Sequence, residues 1–258
     1  MIIWLASYPN SGNDFLRSLL SSYIFSKDGS FNEDVIQNID EFPNNSLFKK
    51  LGVDINNLDE MNKNYINSQK ILNKKDSIMF LKTFSCFVHT DKFKFTDRDN
   101  TLGVIYVVRD PRNIVFPLSQ SFQLSEEQSL HNLLIKTYLG KESQSHCTTY
   151  LSSWKDHYNS WKVFTRFNKY LLVKYEDLIK DTEKTFLNIL KFIAHLGRVK
   201  FTLDEIKFKN ALKTTELKKL NENDSKKLDQ IDPKIKNKLE KELENEMREL
   251  NYLENKFW

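Results

Sequence analysis

The chain alternates short apolar runs with longer polar stretches, and four of the runs have the length and composition of buried strands. They cover residues 1–7, 77–83, 102–108 and 170–174. Each run is too short for a typical helix and is rich in aliphatic or aromatic residues, so each predicts a strand. Pro9 follows the first run, and extended backbone is favoured just before a proline.

Apolar residues at helical spacing follow several of these strands. The first stripe predicts a helix over residues 13–23, and a second covers residues 154–161. A third lies in residues 186–193, after the last predicted strand. Near the end of the chain, Asp232 and Pro233 have the pattern of a helix start, and residues 235–250 carry one apolar stripe that predicts one helix.

Strands that alternate with helices favour an α/β fold. We therefore predict a single domain, residues 1–258, with a central, mostly parallel sheet flanked by helices on both faces. The polar stretches 24–76 and 123–150 contain only short apolar clusters and predict short helices and loops. With 40% hydrophobic and 13% aromatic residues, a chain of 258 residues can bury a core of this kind.

Charge and composition restrict the partners. A formal net charge of +4 favours a small anionic ligand only weakly and does not predict nucleic-acid binding. No apolar run reaches the length of a membrane span, and Met1 opens directly into a predicted strand, so we expect neither a signal peptide nor an anchor. Cys86 and Cys147 lie far apart and outside metal-ligand spacing, as expected of structural thiols in a reducing compartment, here the cytoplasm.

The turn after the first strand, residues 8–13, has the composition of an anion-binding loop. Gly12 has no Cβ to obstruct a ligand, Ser11 carries a hydroxyl, and the first N–H groups of a helix lack intrahelical partners. These groups lie at the positive end of the helix dipole, where phosphate or sulfate binds. The alternative is an ordinary strand-to-helix connection capped by Asn or Ser. A nucleoside-triphosphatase loop is disfavoured, because Asn13 and Asp14 stand where that loop has Lys and then Ser or Thr.

Polar or aromatic residues also end the other three strands, at Lys82, Arg109 and Tyr175. The carboxyl ends of parallel strands meet at one edge of a sheet, where ligands usually bind. Arg109 has a planar fork that can hold a phosphate through two donors. Taken singly, each has a structural alternative: a snorkelling strand-end lysine, a salt-bridged loop, and a helix start after Tyr175.

Five segments resemble motifs of the sulfotransferases that use 3′-phosphoadenylyl sulfate (PAPS). YPNSGNDFLR, from Tyr8, resembles the 5′-phosphosulfate loop YPKSGNTWLR, and FLKTF, from Phe80, resembles a strand that ends in Lys-Thr-His. RDPRNIV, from Arg109, resembles RDPRDVAVS; YEDL, from Tyr175, matches a family motif; and MRELNY, from Met247, resembles MRxLGY. The resemblance implies a P-loop-like three-layer fold and metal-free sulfonate transfer from PAPS, which releases adenosine 3′,5′-bisphosphate (PAP).

The resemblance also implies roles for individual residues. Lys82 would steady the transferring sulfonate, Arg109 would hold the 3′-phosphate, and the aromatic residues Phe15 and Tyr175 would contact adenine. The remaining predicted donor-binding residues belong to the first loop and the helix start that follows it: Asn10, Ser11, Gly12, Asn13 and Asp14.

Several positions depart from the family pattern. Asn10 replaces the loop lysine, and Asp14 replaces a threonine and brings a like charge near phosphate. The serine of RDPRDVAVS falls at Pro117, and Ser119 is the candidate substitute if the helix starts or kinks at that proline. The glycine loop before the last helix is missing, and the lysines 226–227 are the candidate nucleotide contacts in a stretch that otherwise predicts an exposed charged linker.

The family's catalytic histidine is replaced by Phe84, which cannot accept a proton. His89 is the candidate base, because a loop after the strand can bring it back toward Lys82 and an imidazole titrates near neutral pH. The alternative for this residue is an exposed loop histidine. Glu126 or Glu127 would serve as the base for an amine acceptor.

We predict a sulfotransferase that moves a sulfonate from PAPS to a hydroxyl or amine of a small-molecule or glycan acceptor. The alternative is a catalytically degenerate relative that keeps the fold as a nucleotide-binding or interaction module. A nucleotide kinase is a third hypothesis, disfavoured by the missing Lys and Ser/Thr pair.

Overall fold

The computed structural model describes residues 1–73, 77–89, 93–140, 147–221 and 231–254, with the backbone alone over residues 214–221. The strands in these ranges are β1 (Ile2–Ser7), β2 (Asp40–Glu41), β3 (Met79–Thr83), β4 (Thr101–Val108), β5 (Tyr138–Leu139), β6 (Thr149–Tyr150) and β7 (Tyr170–Lys174). All four predicted strands are confirmed, and their bounds lie within two residues of those expected.

Five parallel strands form the central sheet in the order β2-β3-β1-β4-β7. The middle strand β1 pairs with β3 on one side and β4 on the other, so that Ala6 lies opposite both Thr83 and Tyr106. On the far side of β4, Val108 lies opposite Lys174 of β7. This register aligns the carboxyl ends of the strands, so the residues that follow them meet at one edge.

Helices and two 3₁₀ turns, Pro111–Asn113 and Lys162–Phe167, connect the strands. The helices are α1 (Asn13–Phe25), α2 (Glu33–Ile36), α3 (Asn45–Lys50), α4 (Leu58–Lys63), α5 (Tyr65–Leu72), α6 (Val115–Phe122), α7 (Glu126–Leu134), α8 (Trp154–Trp161), α9 (Tyr175–Lys180), α10 (Thr182–Leu196), α11 (Glu205–Asn221), α12 (Pro233–Glu242) and α13 (Glu244–Glu249). As expected, Asp232 caps α12 and Pro233 begins it. In the part of the chain that the structure describes, no helix is long and apolar enough to cross a membrane.

Each face of the sheet carries its own apolar core, because successive strand residues point to opposite faces. Trp4 and Ala6 of β1 join a core to which α3 to α8, α12 and α13 contribute. Ile3 and Leu5 join a second core, built with α1 and α9 to α11. The two cores make three layers, helices over sheet over helices, which confirms the predicted α/β fold.

Three local features differ from the sequence-based expectations. β2 is a two-residue edge strand in the polar stretch 24–76, and β5 and β6 form an antiparallel pair within residues 123–150. Strands of two residues are too short to produce a periodic pattern. The last apolar stripe forms two helices instead of one, because the backbone leaves helical geometry at Leu243, where φ is −116° and ψ is 17°.

Candidate active site

A cavity of about 330 Å³ opens at the carboxyl edge of the sheet. Most of the predicted donor-binding residues line it, namely Asn10, Gly12, Asn13, Asp14, Phe15, Arg109 and Tyr175, and so does the predicted catalytic residue Lys82. The other described residues in the lining are Pro9, Glu41, Phe84, Ser121, Phe122 and Leu139. The fold therefore brings the first loop together with the residues that follow three other strands.

The first loop leaves the start of α1 open to a ligand. Gly12 occupies the N-terminal capping position with a φ of +92°, and no side chain caps this helix. Asn10 also has a positive φ, of 59°. Side chains do cap α7, α8 and α10. The first turn of α1, whose residues line the cavity, thus offers backbone N–H donors to an anion.

Ser11 lies buried in the same loop and does not line the cavity. Its hydroxyl oxygen has no hydrogen-bond partner in the described structure. A buried polar atom without a partner is costly, and a turn of the Ser11 side chain toward the cavity would let a bound phosphate supply the missing acceptor. Together with the uncapped helix, this hydroxyl fits an anionic group such as the 5′-phosphate of a nucleotide.

The side chain of Asn13 holds β1 to α1. Its amide nitrogen donates to the carbonyl of Leu5 at 2.9 Å and to the hydroxyl oxygen of Ser7 at 3.0 Å. These two bonds fix the end of the strand against the first helical turn. Because the side-chain amide is used in this way, Asn13 would donate to a bound anion through its backbone N–H.

Arg109 and Tyr175 stack beside Gly12. The guanidinium carbon of Arg109 lies 4.4 Å from the centroid of the Tyr175 ring, and its Nη1 donates to the carbonyl of Asn10 at 2.9 Å. A Cβ added to Gly12 would lie only 2.2 Å from Cδ2 of Tyr175. Glycine is therefore required at position 12 both by its backbone conformation and by this contact.

Lys82 lies between two carboxylates, and its side chain is only 7% exposed. Its Nζ is 3.0 Å from Oδ1 of Asp14 and 3.4 Å from Oε2 of Glu41. The same ammonium lies 4.3 Å from the centroid of the Phe84 ring. Asp14 belongs to the first turn of α1, whereas Glu41 ends the edge strand β2, so the lysine is held from two sides.

The formal charges in the described lining balance one another, because Lys82 and Arg109 are positive whereas Asp14 and Glu41 are negative. An anionic ligand would be attracted by the first pair and repelled by the second. The Asp14 side chain is 65% exposed, so solvent screens much of its charge. The Asp14 carboxylate, which the sequence analysis identified as a like charge near phosphate, is thus paired with Lys82 and does not cap α1.

Ser119 does not line the cavity. Its hydroxyl donates to the carbonyl of Phe116 within α6, at 2.8 Å. Ser121, two residues later, does line the cavity, and its hydroxyl donates to Oδ1 of Asn10 at 3.2 Å. Residues two positions apart in a helix point in nearly opposite directions, so only one of these two serines can face the ligand.

His89 also lies outside the lining. It is exposed and forms an isolated antiparallel bridge with Lys94. Glu126 and Glu127 belong to the first turn of α7 and do not line the cavity either. The lysines 226–227 lie outside the described residues.

A buried histidine lies beneath the position of the missing base. Nε2 of His157 is 3.0 Å from the carbonyl oxygen of Phe84, and Nδ1 is 2.7 Å from the hydroxyl of Tyr106. Burial lowers the pKa of His157 to about 4, so the ring is neutral at pH 7. Nε2 then donates to the carbonyl and Nδ1 accepts from the tyrosine. His157 thereby fixes the backbone of Phe84 at the cavity wall.

The rest of the RDPR segment contacts the C-terminal part of the described chain, at α12 and at Tyr252. Arg112 forms ion pairs of 2.6 Å with Asp110 and with Glu240, and donates to the carbonyl of Tyr252 at 2.9 Å. The salt-bridged-loop alternative therefore describes Asp110 and Arg112, whereas Arg109 lines the cavity.

Four lining residues were not singled out from the sequence: Glu41, Ser121, Phe122 and Leu139. Glu41 ends a two-residue strand in a polar segment, so no pattern pointed to it. Ser121 was detectable in principle, because helical spacing separates its face from that of Ser119. Leu139 belongs to the short β5–β6 pair, which leaves no periodic signal.

A family model described as the sulfotransferase domain matches residues 2–252. Mouse sulfotransferase SULT7A1, complexed with PAP, has a TM-score of 0.56 at 18% identity, covering 96% of this chain and 84% of that one. Retinol dehydratase, in complex with androsterone and the inactive cofactor PAP, has a TM-score of 0.59 at 12% identity, covering 96% and 80%. No curated protein matches the chain by sequence. The two structural similarities show the fold, and the match over residues 2–252 shows that the chain belongs to the sulfotransferase domain family.

Proposed function

We propose that this chain binds PAPS in the cavity and transfers its sulfonate to a hydroxyl or amine of a small-molecule or glycan acceptor. The observation that carries the proposal is the convergence of the uncapped start of α1, Lys82 and Arg109 on one cavity. The PAP bound in the two similar structures supports a donor of this kind. We also propose that residues 1–258 form one domain. The cytoplasmic location stays a prediction.

The residues present fit such a donor. When bound, PAPS supplies a sulfonate joined through oxygen to a 5′-phosphate. The N–H groups at the start of α1 and the hydroxyl of Ser11 would hold that phosphate, and the fork of Arg109 would hold the 3′-phosphate. Phe15 and Tyr175 would contact the adenine.

Lys82 would contact the sulfonate and stabilise the negative charge that grows during transfer. Catalysis would then depend mainly on positioning and charge stabilisation, as it does in phosphoryl transfer. Family resemblance implies that no metal takes part. Asn10 supplies no positive charge where the family has a lysine. Among the described residues that line the cavity, Lys82 is therefore the one lysine that can contact the sulfonate.

The second candidate is a nucleotide-binding module without transferase activity. Two observations favour it: Phe84 occupies the position of the family's base, and two carboxylates hold Lys82. Both candidates expect the cavity to bind PAP. Only the first expects sulfonate transfer.

Incubation with PAPS and a panel of alcohols, phenols and amines, followed by chromatography of released PAP, separates the two candidates. We expect turnover, and Lys82→Ala should lower kcat by about 100-fold and also weaken PAP binding. The control is Lys70→Ala, since Lys70 is exposed on α5 and does not line the cavity. PAP binding without transfer to any acceptor would favour the module, and absence of PAP binding would contradict both candidates.

A further inference from the structure

A neutral hydroxyl must lose its proton when it attacks sulfur, and Phe84 cannot accept one. Among the described residues that line the cavity, Asp14 and Glu41 carry carboxylates. We propose that Glu41 accepts this proton and is therefore a catalytic residue of this chain. The inference rests on the proposed sulfotransferase function.

Glu41 lies next to the lysine that is proposed to contact the sulfonate. It is opposite Lys82 in the register of β2 and β3, and its Oε2 lies 3.4 Å from Nζ of Lys82. A sulfonate bound to Lys82 would have this carboxylate as its neighbour. An acceptor hydroxyl that approaches the sulfur from the side of β2 would then come within hydrogen-bonding reach of Glu41.

The order of the sheet distinguishes the two carboxylates. β3, which carries Lys82, has β1 on one side and β2 on the other. Asp14 follows β1 in the first turn of α1, where the phosphate of the donor is proposed to bind. Glu41 is on the opposite side, away from the donor phosphate. Its side chain is also less exposed, at 23% against 65% for Asp14, so water competes less for its oxygens.

The transfer step balances without an oxidant or a metal. As the acceptor oxygen bonds to sulfur, its proton passes to a carboxylate oxygen of Glu41. The bond between sulfur and the bridging phosphate oxygen breaks, and both of its electrons leave with PAP. Lys82 stabilises the charge on the departing oxygen, and Glu41 returns its proton to solvent after the product leaves.

Two acceptors of different acidity test the assignment. The probes, assayed at about pH 8, are 2-phenylethanol, which needs a base, and 4-nitrophenol, which is largely ionised at that pH and does not. We expect Glu41→Gln to lower kcat for the alcohol by about 100- to 1000-fold. We expect a loss below about 5-fold for the phenol, because its proton is already gone. Glu41→Asp, which keeps the carboxylate, should recover part of the lost rate.

The control is Asp40→Asn, because Asp40 is the neighbouring residue of β2 and is exposed outside the cavity lining. PAP affinity, measured by calorimetry, should stay within about 3-fold of the parent in Glu41→Gln, since the group acts on the acceptor. Equal losses with both acceptors, or no loss with the alcohol, would overturn the assignment. So would a parent protein that binds PAP and transfers to neither probe. A parent that binds no PAP would instead refute the proposed function itself.

Discussion

Replacing Gly12 with alanine tests the contact between the first loop and Tyr175. At a φ of +92°, an L-residue costs about 1–2 kcal/mol relative to glycine. The new Cβ would also lie 2.2 Å from Cδ2 of Tyr175, so the ring has to move. Its movement disturbs the stack with Arg109, a type of contact worth about 0.5–2 kcal/mol. We expect Gly12→Ala to lower the free energy of unfolding by about 1.5–4 kcal/mol in total.

Gly52 provides the matched control. It also has a positive φ, of +70°, but a Cβ at this position would meet nothing within 4 Å. Gly52→Ala should therefore cost only the backbone term of about 1–2 kcal/mol. Urea unfolding of the two variants separates the strain of the backbone from the clash with the ring.

A double-mutant cycle completes the test. In a Tyr175→Ala background, the cost of Gly12→Ala should fall to that of Gly52→Ala, because the clashing ring is absent. PAP affinity should also fall at least 10-fold in Gly12→Ala and stay unchanged in Gly52→Ala, since only Gly12 lies in the proposed phosphate loop. Equal destabilisation by the two single variants would refute the packing of Tyr175 on the loop.

Three further predictions follow from individual side chains. The free energy of unfolding should fall by about 3 kcal/mol as the pH drops from 6.5 toward 4. Over this range His157 takes up a proton in the unfolded chain but stays neutral in the folded chain, because burial lowers its pKa. Urea unfolding should show that His157→Gln flattens this dependence, whereas replacement of the exposed His131 does not. Asn13→Ala should lower the free energy of unfolding by about 1–3 kcal/mol, because two buried acceptors of β1 lose their donor. Asp14→Asn should tighten PAP binding about 5-fold in calorimetry, because the substitution removes a partly screened ion pair to Lys82 worth about 1 kcal/mol. Weaker binding would show instead that the aspartate contributes to holding the ligand.

The sheet was predictable because its buried strands are continuous apolar runs, a pattern that depends on burial and not on distant partners. Lys82, Arg109 and Tyr175 could be placed at one edge for the same reason, since each follows or ends a strand of a parallel sheet. The neighbours of these residues could not be deduced. The ion pair between Lys82 and Glu41 depends on the two-residue strand β2, which has no local sequence signal.

The directions in which individual side chains point could not be predicted from the sequence either. The sequence placed Ser119 near the ligand by counting residues along a motif, but the ligand side of α6 is set by how the helix packs. Asn13 lines the cavity, but its side-chain amide is used to join β1 and α1. His157 lies within the predicted helix 154–161 and was not singled out from the sequence, because its contact with the carbonyl of Phe84 forms only when α8 packs on the sheet.

The central claim is that the cavity binds a nucleotide with a 3′-phosphate, and calorimetry with PAP and with adenosine 5′-monophosphate tests it most directly. We expect PAP to bind at least 10-fold more tightly, because the 3′-phosphate gains charge-assisted hydrogen bonds from Arg109. In Arg109→Ala this preference should disappear, while Arg98→Ala, at the other end of β4 and exposed, should preserve it. Equal affinity of the parent for the two nucleotides, or a preference for PAP that survives in Arg109→Ala, would contradict the account.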